Sequence, residues 1–230
     1  MSGFIGIICG LKSEAAAAQE SILGDYIRVG ISGADVGRAQ GLAMGFCRKG
    51  ARALISFGLS GGLDPSLSSG DLVVADRVVH GDGDAIACDA DILAAIIHIA
   101  SRRKATIGGV YGSDEIIDSA DEKAQLFAAH QCIAVDMESH AVAGVASMMN
   151  TPFIAIRAIA DPSDRALPPA ALNAVAEDGS TDIPKTLVTA LMGPSQFPAL
   201  MKLGRDAARA TKTLRRDAPE LISKINNTTY

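Results

Sequence analysis

Two short segments of this 230-residue chain place ionisable side chains where apolar runs stop. Val135-Asp136-Met137-Glu138-Ser139-His140 sets two carboxylates around a methionine, between an apolar run and a helical one. Arg157-Ala158-Ile159-Ala160-Asp161-Pro162-Ser163-Asp164 sets an arginine and two aspartates around the end of another apolar run. Glu14 lies just past the first such run, Phe4-Ile5-Gly6-Ile7-Ile8-Cys9. Such groups are the raw material of proton transfer and of hydrogen bonding to a ligand. Each also has a plainer use: Glu138 as a cap at a helix N-terminus, Asp161 as a turn residue before a proline. In open α/β sheets, ligands bind beyond the carboxyl ends of strands. If all three acidic residues sit there, they converge on one rim.

Other motifs carry less. Gly6-Ile7-Ile8-Cys9-Gly10 has the wrong spacing for a dinucleotide-binding G-x-G-x-x-G turn. Gly58-Leu59-Ser60-Gly61-Gly62 resembles the G-x-S-x-G of a serine hydrolase, but turn residues with a proline follow it, and the last histidine, His140, lies mid-chain inside a helical stretch. A better use of this segment is as a loop presenting backbone N–H groups to an anion or a sugar, which glycines permit by allowing close approach. His80-Gly81-Asp82-Gly83-Asp84 lacks the carboxylate series of a calcium loop and has no second histidine near in sequence, so no metal site is expected. His98 and His130 read as helix-surface or capping residues.

The elements that must position these residues alternate along the chain. Strands are expected at Ile5–Cys9, Tyr26–Ile31, Ala53–Phe57, Leu72–Val79, Thr106–Tyr111, Ile133–Val135 and Phe153–Ile159. Helices are expected near Ser13–Leu23, Val36–Lys49, Asp89–Arg103, Ala120–Ala129 and Ser139–Met149. Several strands are apolar on both faces, as when helices cover both sides of a sheet. The alternation predicts an α/β fold: a three-layer α/β/α sandwich with a mixed, mainly parallel central sheet. No repeat or low-complexity linker interrupts it, so residues 1–230 read as one domain, with 183–230 as a helical C-terminal extension.

Composition narrows the function classes. A hydrophobic content of 48% supports one sizeable core, and abundant Gly and Ala favour close helix-on-sheet packing. A net charge of −5 argues against a general nucleic-acid binder, which needs a broad positive field. Cys9, Cys47, Cys88 and Cys132 are scattered without a CxxC, which reads as reduced, buried thiols in a cytoplasmic protein. The apolar N-terminal run lacks a basic flank and a cleavage site and is too short to span a bilayer, so it reads as a buried first strand. Near the C-terminus, Lys202, Arg205, Arg209, Lys212 and Arg216 share one helical face, and Leu200, Leu203, Ala207, Ala210 and Leu214 share another. That pattern fits an ordinary surface helix packing its apolar stripe inward, or a basic face drawn to anionic headgroups or an anionic ligand.

Four pieces in order resemble the nucleoside phosphorylase/nucleosidase superfamily, and within it the branch of methylthioadenosine/S-adenosylhomocysteine nucleosidases. They are Ile5-Gly6-Ile7-Ile8 with Glu14, Gly58-Leu59-Ser60-Gly61-Gly62-Leu63 followed by Gly70-Asp71-Leu72-Val73-Val74, Val135-Asp136-Met137-Glu138, and Arg157-Ala158-Ile159-Ala160-Asp161. The resemblance implies cleavage of the N-glycosidic bond between a purine and a ribose. By position, Glu138 matches the glutamate that accepts hydrogen bonds from the ribose 2′- and 3′-hydroxyls, with Met137 packing against the sugar. Asp161 matches the general acid for purine N7, in the form that accompanies 6-amino purines. Glu14 and Arg157 match residues that position the attacking water. Ser60, Gly61 and Ile116, the last within Gly112–Ile117, are expected beside the nucleoside. No cofactor is implied beyond phosphate as the alternative nucleophile, and the resemblance implies a homo-oligomer.

The chain departs from the family pattern at several points. Ser32-Gly33-Ala34-Asp35 lacks a second glycine, Leu59 stands where a Ser or Thr is usual, and Ser56 stands where the hexameric phosphorylases carry an arginine. The phosphate clamp is thus incomplete while Glu14 is kept, which leans toward water as nucleophile. Pro168-Pro169-Ala170-Ala171-Leu172, Gly193-Pro194-Ser195-Gln196-Phe197-Pro198-Ala199-Leu200 and the basic helix resemble the hopanoid-associated phosphorylases. That narrower likeness implies release of adenine from adenosylhopane, a lipid-linked nucleoside, with peripheral contact to an anionic membrane through 200–216. The alternatives are a soluble substrate such as methylthioadenosine or S-adenosylhomocysteine, and a non-catalytic nucleoside-binding module. Retention of Asp161, Glu138 and Glu14 together speaks against the last.

Overall fold

The computed structural model describes residues 3–19, 26–169, 178–180 and 197–228. In order, the chain forms β1 (Phe4–Cys9), α1 (Lys12–Gln19), β2 (Ile27–Ile31), α2 (Val36–Arg48), β3 (Ala51–Gly62), β4 (Leu72–His80), β5 (Ile86–Ala87), α3 (Ala90–Arg102), β6 (Thr106–Gly112), α4 (Ala120–His130), β7 (Cys132–Asp136), α5 (Ser139–Met148), β8 (Phe153–Asp161) and α6 (Phe197–Asn226). Helix starts carry their expected chemistry: Asp35, Asp89 and Ser119 each accept a hydrogen bond from the backbone N–H three residues on. The expected helical residues 20–23 and the extension from 183 to 196 lie outside the described residues, as do parts of the two proline-containing C-terminal segments, 170–172 and 193–196.

The sheet runs β2-β1-β3-β7-β6-β4-β5, with β8 paired to both β3 and β4. Pairing is parallel for β1–β2, β1–β3, β3–β8, β4–β6 and β6–β7, and antiparallel for β3–β7, β4–β5 and β4–β8. The mixed, mainly parallel sheet is therefore present, but it is not open. Strands β3, β8, β4, β6 and β7 pair in a closed circuit, and β1 and β2 extend from it. Helix α6 packs against α1 and α3, and α2 packs against α5, which gives the two helical layers of the sandwich. Their inward faces are alanine-rich, with Ala15, Ala17, Ala18, Ala39, Ala43, Ala143 and Ala146 buried. Small side chains let the helices sit close to the long apolar strands beneath.

The glycine-rich segment Gly58–Gly62 is not a loop. It is the second half of the 12-residue strand β3, held by β8 from Leu54 to Gly61 and by β7 at Gly61 and Gly62. Pairing on both sides overrides the turn signal of the glycines, and the strand-to-helix elbow of a serine hydrolase is absent. Helix α6 buries Ala210, Leu214, Ala218, Leu221, Ile222 and Ile225, so its apolar stripe packs inward. Lys202, Arg205, Arg209, Lys212 and Arg216 remain exposed on its outer side. Among the described residues no helix is long and apolar enough to cross a membrane. Cys9, Cys88 and Cys132 are buried free thiols, whereas Cys47 is only half-buried.

Candidate active site

The carboxyl ends of β1, β3, β7 and β8 meet at one rim. Gly61 is the junction, paired with Val135 of β7 on one side and Asp161 of β8 on the other. An irregularity in the β3–β8 register between Ser60 and Gly61 shifts Asp161 by one position against β3, the re-aiming that bulges perform beside functional sites. A cavity of about 330 Å³ opens here, within the range of small-molecule sites. Glu14, Met137, Glu138 and Asp161 line it, as do Ser60, Gly61 and Ile116. The three acidic residues, distant in sequence, therefore share one cavity. Ser60 Oγ on this wall is a buried hydroxyl without a protein partner.

Glu14 sits in the first turn of α1, where the helix leaves β1. Its Oε2 accepts from the N–H groups of Gly10 and Leu11, both at 2.9 Å, and its Oε1 from Leu59 N–H at 2.8 Å. The packing needs bare backbone. A Cβ at Gly58 would lie 2.6 Å from the Glu14 carboxyl, and one at Gly10 would lie 2.5 Å from Glu138 Oε1 and 3.5 Å from Glu14 Oε2. Glycine at position 10 thus lets both carboxyls close on one point. At the cavity wall Ala34 takes a left-handed φ of 55°, the conformation a glycine would hold without a Cβ penalty.

Glu138 stands at the N-cap position of α5, but its side chain does not cap the helix. Asp136 accepts from Ser139 N–H at 3.0 Å, while Glu138 makes no side-chain cap bond and faces the cavity. Arg157 does not line the cavity. Its guanidinium, 1% exposed, pairs with Asp136, lies 3.6 Å from Glu138, and donates to Ser56 and Ser139. Ser56 is thus a partner of the buried guanidinium. Burial works against the Arg157 charge, but Asp136, Glu138 and Glu14 outweigh it and hold its pKa above the ordinary value. One cation does not neutralise three carboxylates. Burial pushes Glu138 up to about 8, with Arg157 opposing and Asp136 and Glu14 assisting. Burial also raises Glu14, against Arg157 and the three backbone donors.

At the other end, Asp161 meets a residue that the sequence patterns did not single out. Lys123 of α4 is fully buried, and its ammonium donates to Asp161 Oδ2, to the Pro162 carbonyl at 3.2 Å and to the Arg165 carbonyl at 3.0 Å. Burial raises the Asp161 pKa, and Lys123 pulls it back down. A signal existed: Leu126 and Phe127, three and four residues on, pack against the smaller core cluster, so Lys123 is a lone cation on an apolar helical stripe.

A second constellation forms outside the cavity. His80, Asp114 and His140 bring ligand-type atoms within 4.8 Å of one another, and the two imidazoles stack at 4.3 Å. The second histidine that chain spacing lacked comes from α5. His80 Nδ1 meets the Gly112 carbonyl at 2.9 Å, whereas His140 Nδ1 is buried with no partner. Metal-ligating imidazoles nearly always have that second nitrogen held, so only half of the support of a metal site is present.

Comparison with known proteins agrees with this architecture. The phosphorylase superfamily model matches residues 24–191. A 5′-methylthioadenosine/S-adenosylhomocysteine nucleosidase of Staphylococcus haemolyticus (strain JCSC1435) is 29% identical over 129 residues, covering 48% of this chain and 57% of that one. The match therefore spans little more than half the length of that relative. Among solved structures, the Neisseria meningitidis 5′-methylthioadenosine/S-adenosylhomocysteine nucleosidase in complex with methylthio-immucillin-A superposes with a TM-score of 0.73 at 18% identity, covering 95% of this chain and 98% of that one. The futalosine hydrolase of Helicobacter pylori strain 26695 gives 0.72 at 18% identity, covering 98% and 97%. At such identities the structural likeness is one of fold, and it reaches beyond the span that the family match covers. The chain belongs to the phosphorylase superfamily.

Proposed function

We propose that this protein hydrolyses the N-glycosidic bond of an adenine nucleoside. The observation that carries the reading is the convergence of Glu14, Glu138 and Asp161 on one cavity. In the reaction, water attacks C1′ and gives its proton to Glu14. The C1′–N9 electron pair passes to the base, and Asp161 protonates N7. Positive charge develops on the ribose and negative charge on the purine, so carboxylates at the sugar and an acid at the base act mainly in the transition state. Ribose hydroxyls donating to Glu138 favour its ionised form against burial, while Met137 packs against the sugar. Arg157 acts through Asp136 and Glu138 as a positioning residue.

Water is favoured over phosphate because the cavity wall carries Glu14, Glu115, Asp136, Glu138 and Asp161, and among the described lining residues no Lys or Arg. A phosphate dianion there would meet no cationic side chain on the wall, and the ionised carboxylates would repel it. The apolar wall of Leu11, Ile116, Ile117, Leu167, Leu203 and Ala207 suits a nucleoside with an apolar 5′ substituent. Leu203 and Ala207 come from α6, whose Met201 is 48% exposed and whose Lys202 and Arg205 face solvent. This combination supports a lipid-tailed substrate, adenosylhopane, taken from an anionic surface; methylthioadenosine is the soluble alternative. Incubation with each, with and without phosphate, tests both points. The expected result is adenine plus the unphosphorylated ribose still carrying its 5′ substituent (ribosylhopane from adenosylhopane), faster with adenosylhopane and indifferent to phosphate. A strict phosphate requirement would overturn hydrolysis, and faster turnover of methylthioadenosine would overturn the lipid-tailed reading.

A further inference from the structure

Lys123 has no place in the reaction as written above, yet it is the only buried residue of α4. A lysine enters a protein interior at considerable cost unless its charge is paired and its donors are satisfied. Here all three donors are used. Two go to the carbonyls of Pro162 and Arg165, closing the turn after β8, and the third goes to a carboxyl that lines the cavity. A clamp for the turn needs only the first two bonds. The third joins a fixed cation to Oδ2 of Asp161. The other cation that lowers the Asp161 pKa, Arg165, is itself paired with Asp206 on α6. Lys123 is not on the cavity wall, so whatever it does for the chemistry it does through Asp161.

We propose that Lys123 is the counter-ion that stabilises the carboxylate left on Asp161 when Asp161 gives its proton to the leaving purine. This rests on Asp161 being the acid. Before the step, the protonated Asp161 carboxyl faces the base and the Lys123 ammonium contacts its other oxygen. As the C1′–N bond breaks and its electron pair moves onto the base, the carboxyl proton passes to N7. Asp161 is left as a carboxylate beside an ammonium that never loses its proton, so the buried pair goes from a net single positive charge to neutral. Without the lysine the same transfer would create an isolated carboxylate in a buried site, and the acid would hold its proton. Lys123 is thus a positioning residue whose charge makes Asp161 a competent donor despite its burial.

The test compares two leaving groups. Adenine needs a proton to depart, whereas the 4-nitrophenolate of 4-nitrophenyl β-D-ribofuranoside leaves without one. In Lys123→Met, which keeps volume and removes charge, kcat for methylthioadenosine or adenosylhopane is expected to fall by about 100-fold. Turnover of the nitrophenyl riboside is expected to change by less than about threefold, and that retained turnover shows that the variant is folded. The pH profile is a second readout that needs only the nucleoside: the basic limb of kcat/KM moves upward by about one to three pH units, because the lysine no longer favours the carboxylate. Equal losses on both substrates, or a basic limb that stays in place, would make Lys123 a clamp for the turn and overturn the proposal. Failure of the unaltered protein to release adenine from any adenine nucleoside would instead remove the proposed function.

Discussion

The two ends of the cavity bury their carboxyls beside different balances of charge. Around Glu14 and Glu138, three carboxylates surround one buried arginine, and burial, assisted by the neighbouring carboxylates, pushes Glu138 up to about 8. At Asp161, one carboxylate meets one buried lysine, and burial and the cation pull its pKa in opposite directions. The first arrangement suits a region where positive charge develops on a sugar. The second suits a group that must lose a proton and be left charged. The contrast teaches that burial raises the proton affinity of both carboxyls, and that the cations and acids beside each decide how far that rise is opposed.

Removing either end tests that contrast. Asp161→Asn should lower turnover by about 10²–10⁴-fold with little change in substrate binding; steady-state kinetics giving an unchanged kcat at saturating substrate would sink the role of the acid. Arg157→Met leaves Asp136 and Glu138 buried without their cation and should destabilise the fold by about 3–5 kcal/mol, read by denaturant unfolding. A milder loss would mean that the sugar-end carboxylates are already largely protonated. The pH dependence of stability sharpens the same point. Glu138 has a folded pKa of about 8 against an ordinary 4.5. Between those values the folded state binds more protons than the unfolded one, so stability present below about pH 4.5 is lost as pH rises toward 8. The melting temperature should fall across that window, and Glu138→Gln should flatten the decline. An identical slope in the variant would assign it to another group. The smallest effect is expected from Ser119→Ala. It deletes the cap at the start of the helix that carries Lys123 and should cost about 1 kcal/mol of stability. Thermal unfolding measures that cost, and a kcat lowered by more than stability explains would show that the base end depends on how firmly α4 is anchored.

Much of this was legible in the chain. Strand and helix positions follow from the short apolar runs and their alternation with helical stretches. Strand β3 was misread at its end because Gly58, Gly61 and Gly62 carry a turn signal, and only neighbours on both sides keep them extended. The two-residue strand β5 is too short to leave a periodic trace. At the site, Glu14, Glu138 and Asp161 were visible as acids at strand ends. Arg157 was visible too, but its placement behind the carboxylates was not. The sequence offers Glu138 as a cap of α5, but in the folded chain the side chain that reaches the Ser139 N–H is that of Asp136.

Residue order alone established the succession of strands and helices and put acidic groups at their ends, because periodicity, capping and turn chemistry act over a few neighbouring residues. Only the folded chain decided which cation each acid keeps. Lys123 and Asp161 are 38 positions apart, and Arg157 and Asp136 come from different strands. A charge in a low-dielectric interior is governed by the groups within a few ångströms of it, and those distances exist only once the sheet has closed and the helices have packed upon it.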